Sequence, residues 1–175
     1  MNKGPVAWAL TALALIVGTQ ARAASAQERP SFGSGAAEFS AGTLIFADDG
    51  AVSEGFGGGA GRFYVSPRIS VGPEISYISG EHHSHLMITG NVTVDLGPSS
   101  TASRVTPFVV VGAGLFRTSE AFPDNQTFSH NEGAFTAGGG VRALVGDRLI
   151  LGAEARAGWE THVRVSGLVG VRLGR

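Results

Sequence analysis

The fold is decided by the stretch His162–Leu173, which reads HVRVSGLVGVRL. Every second residue from Val163 onward is apolar or glycine, while Arg164 and Arg172 stand at positions between them. Successive side chains of a β-strand point to opposite faces, so this stretch has one apolar face and one face that carries charge. The pattern predicts a strand that separates two different environments.

Seven further segments show a similar alternation, and each of the eight holds about 10 to 15 residues, enough for a tilted strand to cross a bilayer. Past the N-terminal region, no apolar run reaches the roughly 20 residues of a spanning helix. A sheet inside a membrane must close on itself, because open edges leave backbone groups unpaired. We therefore predict an all-β fold, an eight-stranded antiparallel up-and-down transmembrane β-barrel, with strands at 35–46, 55–66, 69–80, 85–97, 104–117, 132–146, 148–160 and 162–174.

The N-terminus is typical of a secretory signal peptide. Lys3 supplies a positive charge, an apolar run covers Val6 to Val17, and Ala24-Ser25-Ala26 has the small-x-small form of a cleavage site. Ala21-Arg22-Ala23 is a second such site. We predict a signal peptide at 1–26, export by the Sec route, and a barrel domain at 27–175.

Composition excludes several classes of protein. The chain has no cysteine, which rules out a disulfide scaffold and a thiolate metal site. Without Lys3 and Arg22, residues 27–175 keep 11 of the 13 basic residues against all 14 acids, a formal charge of −3. No basic patch indicates binding of nucleic acid.

The connections predict which end of the barrel lies outside the cell. The polar segment 118–131, with a turn signal at Pro123-Asp124-Asn125, is expected to be the longest loop. Turns such as Gly146-Asp147-Arg148 alternate with it. Because periplasmic turns are short and extracellular loops long in such barrels, both termini are expected in the periplasm.

The alternation also predicts an outward face that meets lipid. It carries two expected aromatic girdles, with Tyr77, Phe135 and Trp159 near the extracellular end and Phe39 and Phe63 near the periplasmic end. The other outward positions on the fourth, fifth and seventh strands are Leu86, Ile88, Val92, Val94, Leu96, Val109, Val111, Ala113, Leu115, Leu149, Leu151, Ala153, Ala155 and Ala157.

The inward face is expected to carry four acids and five arginines. Isolated charges in a narrow barrel are costly, so these side chains should pair, and arginine forks match carboxylates well. Eight strands enclose a space that side chains can fill. We therefore expect a plugged interior rather than an open pore, built from Glu38, Arg62, Glu74, Asp95, Arg142, Glu154, Arg156, Arg164 and Arg172.

On these features the chain resembles the small outer-membrane β-barrel family that includes the OmpA transmembrane domain and the opacity and Ail-like surface proteins. The resemblance covers essentially the whole chain. It rests on the signal, the eight segments, interior charges such as Glu74, Arg142 and Arg156, and the closing stretch Val169–Gly174. It implies a protein of the bacterial outer membrane.

Candidate chemistry is sparse. Five histidines fall in or beside the predicted extracellular loops, with carboxylates nearby in sequence, and such groups can bind Zn²⁺ or Cu²⁺. Their spacing matches no fixed metal geometry, so solvated loop residues are the simpler interpretation. The pairs His83-Ser84 and Ser129-His130 are adjacent in sequence, but neighbours on a strand point apart and do not make a nucleophile–base contact. The histidines are His82, His83, His85, His130 and His162.

We therefore predict no catalytic, cofactor-binding or metal-binding residue and no cofactor. The leading hypothesis is a non-enzymatic, monomeric barrel with a structural or surface-interaction role. Its expected partners are outer-membrane lipid and, through its loops, an extracellular ligand or a host or envelope protein. Two alternatives stay open: a soluble periplasmic, lipocalin-like binding barrel, and a lipid A-modifying outer-membrane enzyme.

Overall fold

The computed structural model describes residues 33–46, 52–80, 83–97, 105–121 and 127–174. The predicted signal peptide, residues 1–26, lies outside this range. Within it the chain forms eight strands and a single 3₁₀ turn, Trp159–Thr161. The described residues contain no helix long and apolar enough to cross a membrane. The strands are β1 (Gly35–Phe46), β2 (Val52–Tyr64), β3 (Ile69–Ser79), β4 (His83–Asp95), β5 (Val105–Ala121), β6 (Thr127–Val145), β7 (Leu149–Gly158) and β8 (His162–Leu173).

The strands form a closed barrel in which each pairs antiparallel with its neighbours in sequence. β8 closes the barrel onto β1, with Gly35 opposite Leu173 and Phe46 opposite His162. Closure satisfies the backbone groups that an open sheet would leave at its edges. The predicted eight-stranded antiparallel barrel is confirmed, and the ends of its strands differ from the predicted segments by a few residues at most positions.

The largest difference concerns β5 and β6. The predicted loop 118–131 is wrong in extent, because β5 continues to Ala121 and β6 begins at Thr127. Pairing continues along this hairpin, with Ser119 opposite Ser129. Residues 118–121 and 127–131 are mostly polar, so they lack the apolar alternation by which the other strands were recognised.

Tight packing of the strands requires glycine at particular places. A β-carbon at Gly72 would collide with the carbonyl oxygen of Gly61 on the neighbouring strand, and one at Gly114 would collide with that of Ile88. Gly146 has a φ of +64° in the turn between β6 and β7, a conformation that glycine adopts without strain. These glycines therefore serve the curvature of a small barrel.

Each strand turns one set of side chains inward and the other outward, as the alternation predicted. On β8 the even-numbered residues from His162 to Gly170 are buried and the odd-numbered residues are exposed. We call the end of the barrel that holds the β5–β6 hairpin tip the tip end. The opposite end, where Gly35 and Leu173 lie, is the terminal end.

Candidate functional site

The barrel interior holds the charged residues of the inward face. All nine predicted inward charges lie on the inward set of their strands, and seven of them are buried. The most enclosed is Arg164, of which 1% is exposed. The seven buried residues are Glu38, Arg62, Glu74, Arg142, Glu154, Arg156 and Arg164.

Four of these side chains form a closed ring of ion pairs across the lumen, here called the charge ring: Glu74, Glu154, Arg156 and Arg164. Arg156 places Nη2 3.0 Å from Glu74 Oε2 and Nε 2.7 Å from Glu154 Oε1. Arg164 places Nη1 2.7 Å from Glu74 Oε1 and Nη2 3.0 Å from Glu154 Oε1. Each arginine therefore contacts both carboxylates, and the formal charges of the ring cancel.

Neutral polar side chains complete the coordination of the charge ring. Asn91 Nδ2 donates to Glu74 Oε2 at 2.7 Å, and Ser76 Oγ donates to Glu74 Oε1 at 3.2 Å. Arg164 Nη1 donates in turn to Ser76 Oγ at 3.3 Å. Hydrogen bonds of this kind offset part of the cost of taking the charges out of water.

A second group of charges lies nearer the terminal end, and we call it the Glu38 cluster: Glu38, Arg62, Tyr64, Asp95 and Arg142. Glu38 Oε1 lies 2.5 Å from Arg62 Nη2 and 3.1 Å from Arg142 Nε. Arg62 Nη1 donates to the Tyr64 hydroxyl at 3.0 Å, and that hydroxyl donates to Asp95 Oδ2 at 3.2 Å. One carboxylate thus holds two arginines from opposite sides of the barrel.

A cavity of about 10 Å³ lies between the charge ring and the Glu38 cluster. A space of this size has room for about one water molecule. Its lining includes Glu38, Glu74, Arg62, Arg142 and Arg156. Residues of both groups of charges therefore line one small cavity.

Toward the tip end the interior becomes apolar. Six buried side chains from six consecutive strands pack into one cluster, here called the apolar layer, and none is more than 7% exposed. The layer lies directly against the charge ring, since the guanidinium carbon of Arg164 is 5.0 Å from the centre of the Phe56 ring. Its members are Leu44, Phe56, Ile78, Met87, Phe116 and Ala134.

The apolar layer was not predicted from the sequence. Its residues stand on the inward set of their strands, so near the tip end both faces of a strand are apolar and the alternation loses its contrast. The usable signal was this loss of contrast at corresponding strand ends, which indicates a position buried on both sides.

Two of the predicted loop histidines are buried inside the barrel, which corrects their interpretation as solvated loop residues. His85 stacks on Phe116 with ring centres 4.9 Å apart, and its Nδ1 lies 3.0 Å from Thr118 Oγ1. His162 is 2% exposed, and its Nδ1 lies 2.5 Å from the carbonyl oxygen of Trp159. The continuation of β4 and β8 beyond the apolar stretches carries both residues inward.

Among the residues that the structure describes, the remaining polar groups at the tip end do not converge on a metal site. Glu54, which is not among the inward charges predicted from the sequence, is buried, and its Oε2 lies 3.9 Å from His85 Nε2. His130 pairs with Glu132 at 3.1 Å on the exposed surface. Within the described ranges no group of three or more histidine, aspartate or glutamate side chains is placed to hold a metal ion. His82 lies outside those ranges, and Ser129 and His130 are consecutive residues of a strand.

The outward face carries the predicted apolar residues and aromatic girdles. Tyr77, Phe135 and Trp159 are exposed toward the tip end, and Phe39 and Phe63 are exposed toward the terminal end. Phe135 and Trp159 meet edge to face at 5.9 Å, and Trp159 Nε1 donates to Glu132 at 3.3 Å. The indole thus has an apolar body and a polar partner, as aromatic residues at a membrane interface do.

Comparison with known proteins agrees with this arrangement. Residues 9–168 match the family described as outer membrane protein beta-barrel domain. No curated protein sequence matches the chain significantly.

Among solved structures, the chain is similar in fold to Neisserial surface protein A (15% identity, TM-score 0.63), covering 82% of this chain and 97% of that one. It is similar to the N-terminal β-barrel domain of Pseudomonas aeruginosa OprF (11%, TM-score 0.60), covering 79% and 97%. It is also similar to the attachment invasion locus protein Ail of Yersinia pestis (12%, TM-score 0.55), covering 80% and 97%. The resemblance inferred from the alternating strands is confirmed, and the chain belongs to the family of outer-membrane β-barrel proteins of the bacterial outer membrane.

Proposed function

We propose that this protein is a monomeric, non-enzymatic outer-membrane barrel that conducts no ions and has a structural or surface-interaction role. The observation that carries the proposal is the filled lumen. The Glu38 cluster, the charge ring and the apolar layer follow one another along the barrel axis, and the cavity between the first two measures about 10 Å³.

The outward face supports outer-membrane lipid as a partner. Large apolar side chains such as Val111 and Leu115 are more than half exposed, at 56% and 62%. Acyl chains are the surroundings in which such exposure costs nothing. The closed barrel also leaves no strand edge for pairing with a second chain, which favours a monomer.

The β5–β6 hairpin supports a surface-interaction role. These are the longest strands, with 17 and 19 residues, and they project polar residues at the tip end. We assign the tip end to the cell exterior, where it would meet an extracellular ligand or a host or envelope protein. Ail of Yersinia pestis has been solved in complex with the heparin analogue sucrose octasulfate, so a barrel of this fold can present a ligand site.

The arrangement of side chains argues against a soluble, lipocalin-like binding barrel. Such a protein would keep apolar residues inside a cavity and polar residues outside. Here Val109, Val111 and Leu151 are exposed, and Glu74 and Arg164 are buried.

The proposal is tested with the purified full-length chain in detergent and in planar lipid bilayers. We expect the electrophoretic mobility to change when the sample is boiled, because a barrel of this kind stays folded in detergent until it is heated. We also expect no stepwise current across the bilayer. Extraction as a soluble protein without detergent would contradict the membrane role. A steady, large unit conductance would contradict the closed interior.

A further inference from the structure

The lumen is closed in two physically different ways, by paired charges and by apolar side chains. We propose that the apolar layer, rather than the charge ring, is the seal that keeps ions from crossing this barrel. This inference rests on the proposed non-conducting function and assigns that function to six residues: Leu44, Phe56, Ile78, Met87, Phe116 and Ala134.

The apolar layer spans most of the lumen. Its side chains come one each from β1 to β6, and Leu44 and Ile78 have no exposed surface. Of the two remaining strands, β8 supplies Arg164, which lies against Phe56, and His162, which is buried near Phe46 with ring centres 6.0 Å apart. On β7 the paired position is Gly158, which has no side chain and is covered by the His162 ring. Buried side chains of seven of the eight strands therefore fill the lumen at or next to this level.

The interior has a second apolar cluster, but it covers a smaller arc. It consists of Phe108 and Val110 of β5 and Leu168 of β8. Phe108 lies beneath the guanidinium group of Arg142, 3.5 Å from the ring centre, and so supports the Glu38 cluster. With two strands instead of six, this cluster leaves polar groups to fill the rest of its level.

The charge ring is a weaker barrier than the apolar layer for a chemical reason. Arg156 and Arg164 each contact both Glu74 and Glu154, so one contact can open while every charge keeps a partner. Polar side chains that exchange partners can also replace part of the hydration shell of a passing ion. The apolar layer offers an ion no such partner, and narrow apolar constrictions close pores by excluding water.

Polar groups lie on both sides of the apolar layer. The charge ring borders it toward the terminal end, and Glu54 and His85 border it toward the tip end, with His85 stacked on Phe116. If the layer were made polar, a continuous path of polar groups would connect the tip end with the charge ring. The layer is thus the step at which hydration of the lumen is interrupted.

The test compares unit conductance of full-length variants in planar bilayers containing KCl. Leu44→Asn combined with Met87→Gln replaces apolar side chains by amides of similar length and makes the layer polar, while Phe56→Ala combined with Phe116→Ala opens it. We expect both to produce stepwise currents that the unmodified protein lacks. Phe108→Ala, an apolar truncation of the second cluster, is the matched control and should stay closed. Heat-modifiable migration of each variant verifies that its barrel is folded.

The decisive contrast is Glu74→Gln combined with Arg156→Gln, which removes one acid and one base from the charge ring. We expect no stepwise current from this variant. Current from it, or continued closure of both layer variants while folded, would overturn the assignment of the seal but leave the non-conducting function intact. Current from the unmodified protein would instead overturn the proposed function itself.

Discussion

Along β8, Val163, Val165 and Val169 are exposed by 44–48%, whereas their neighbours Arg164 and Ser166 are at most 4% exposed. These residues belong to the same strand and the same pairings, and they differ only in the face of the sheet on which they lie. A protein in water would show the reverse, because exposed apolar surface and buried charge both cost free energy there. The contrast teaches that the surrounding solvent, rather than strand propensity, decides which side chains of this chain lie inside.

The two faces also differ in how specific their contacts are. The outward face needs apolar side chains of no particular shape, whereas each buried charge needs a partner of opposite sign at hydrogen-bond distance. Loss of one inward partner should therefore cost more than most changes on the outward face.

Glu154→Ala should produce the largest loss of stability. The variant leaves the buried Arg156 and Arg164 to share the remaining ring carboxylate, Glu74. Removing one partner of a buried ion pair costs about 3–5 kcal/mol. Urea unfolding in lipid vesicles, followed by the fluorescence of Trp159, measures the change in the free energy of unfolding.

Two further variants show whether the loss comes from the charge of Glu154. Asp147→Ala removes an acid from the exposed turn between β6 and β7 and should change stability by no more than about 0.5 kcal/mol. Glu154→Gln keeps the side-chain volume but removes the charge, so it should retain most of the loss. If Glu154→Ala costs no more than Asp147→Ala, the charge ring does not stabilise the barrel.

An arginine on the outward face should cost less, and its cost should depend on depth. Val111 is outward near the middle of β5, opposite Val92 and Ala137. Val111→Arg should destabilise the barrel by about 2–4 kcal/mol, and Leu173→Arg at the terminal end by about 0–1 kcal/mol, because the latter reaches the interface. The same unfolding measurement applies, and equal costs at the two sites would show that Val111 does not face acyl chains.

Much of the fold could be predicted because one physical contrast recurs in every strand. Val109 and Val111 on the outward face, and Glu74, Arg156 and Arg164 on the inward face, were all assigned from a period of two. Closure into a barrel followed from the need to pair every strand edge in a membrane. These inferences required no knowledge of contacts distant in sequence.

The parts that could not be predicted are those where that contrast disappears. Toward the tip end, residues 118–121 and 127–131 are mostly polar and lack the apolar alternation, so they resembled a loop. In the apolar layer the inward residues are apolar, as most of the outward residues are, so the alternation did not mark Met87 and Phe116 as lumen residues, and only the loss of contrast distinguished this level. The partners within the charge ring depend on the stagger of strands around the barrel, which the alternation of single strands does not specify.

The smallest perturbation that tests the two faces of β8 is a neutral label at single positions of this strand. The chain has no cysteine, so a single cysteine can carry a nitroxide spin label without other changes. Labels at 163, 165, 169 and 171 should be relaxed mainly by oxygen, which partitions into lipid, and labels at 164, 166 and 172 should be shielded from it. Position 166 matters most among the inward sites, because Ser166 is buried and lies outside the charge ring, so its replacement leaves those ion pairs intact.

A water-soluble nickel chelate provides the second relaxation measurement. If the odd-numbered labels respond to the chelate and the even-numbered labels respond to oxygen, the faces of β8 are inverted. The barrel would then hold its apolar residues inside, as a soluble binding protein does, and the outer-membrane role proposed for it would fail together with the seal.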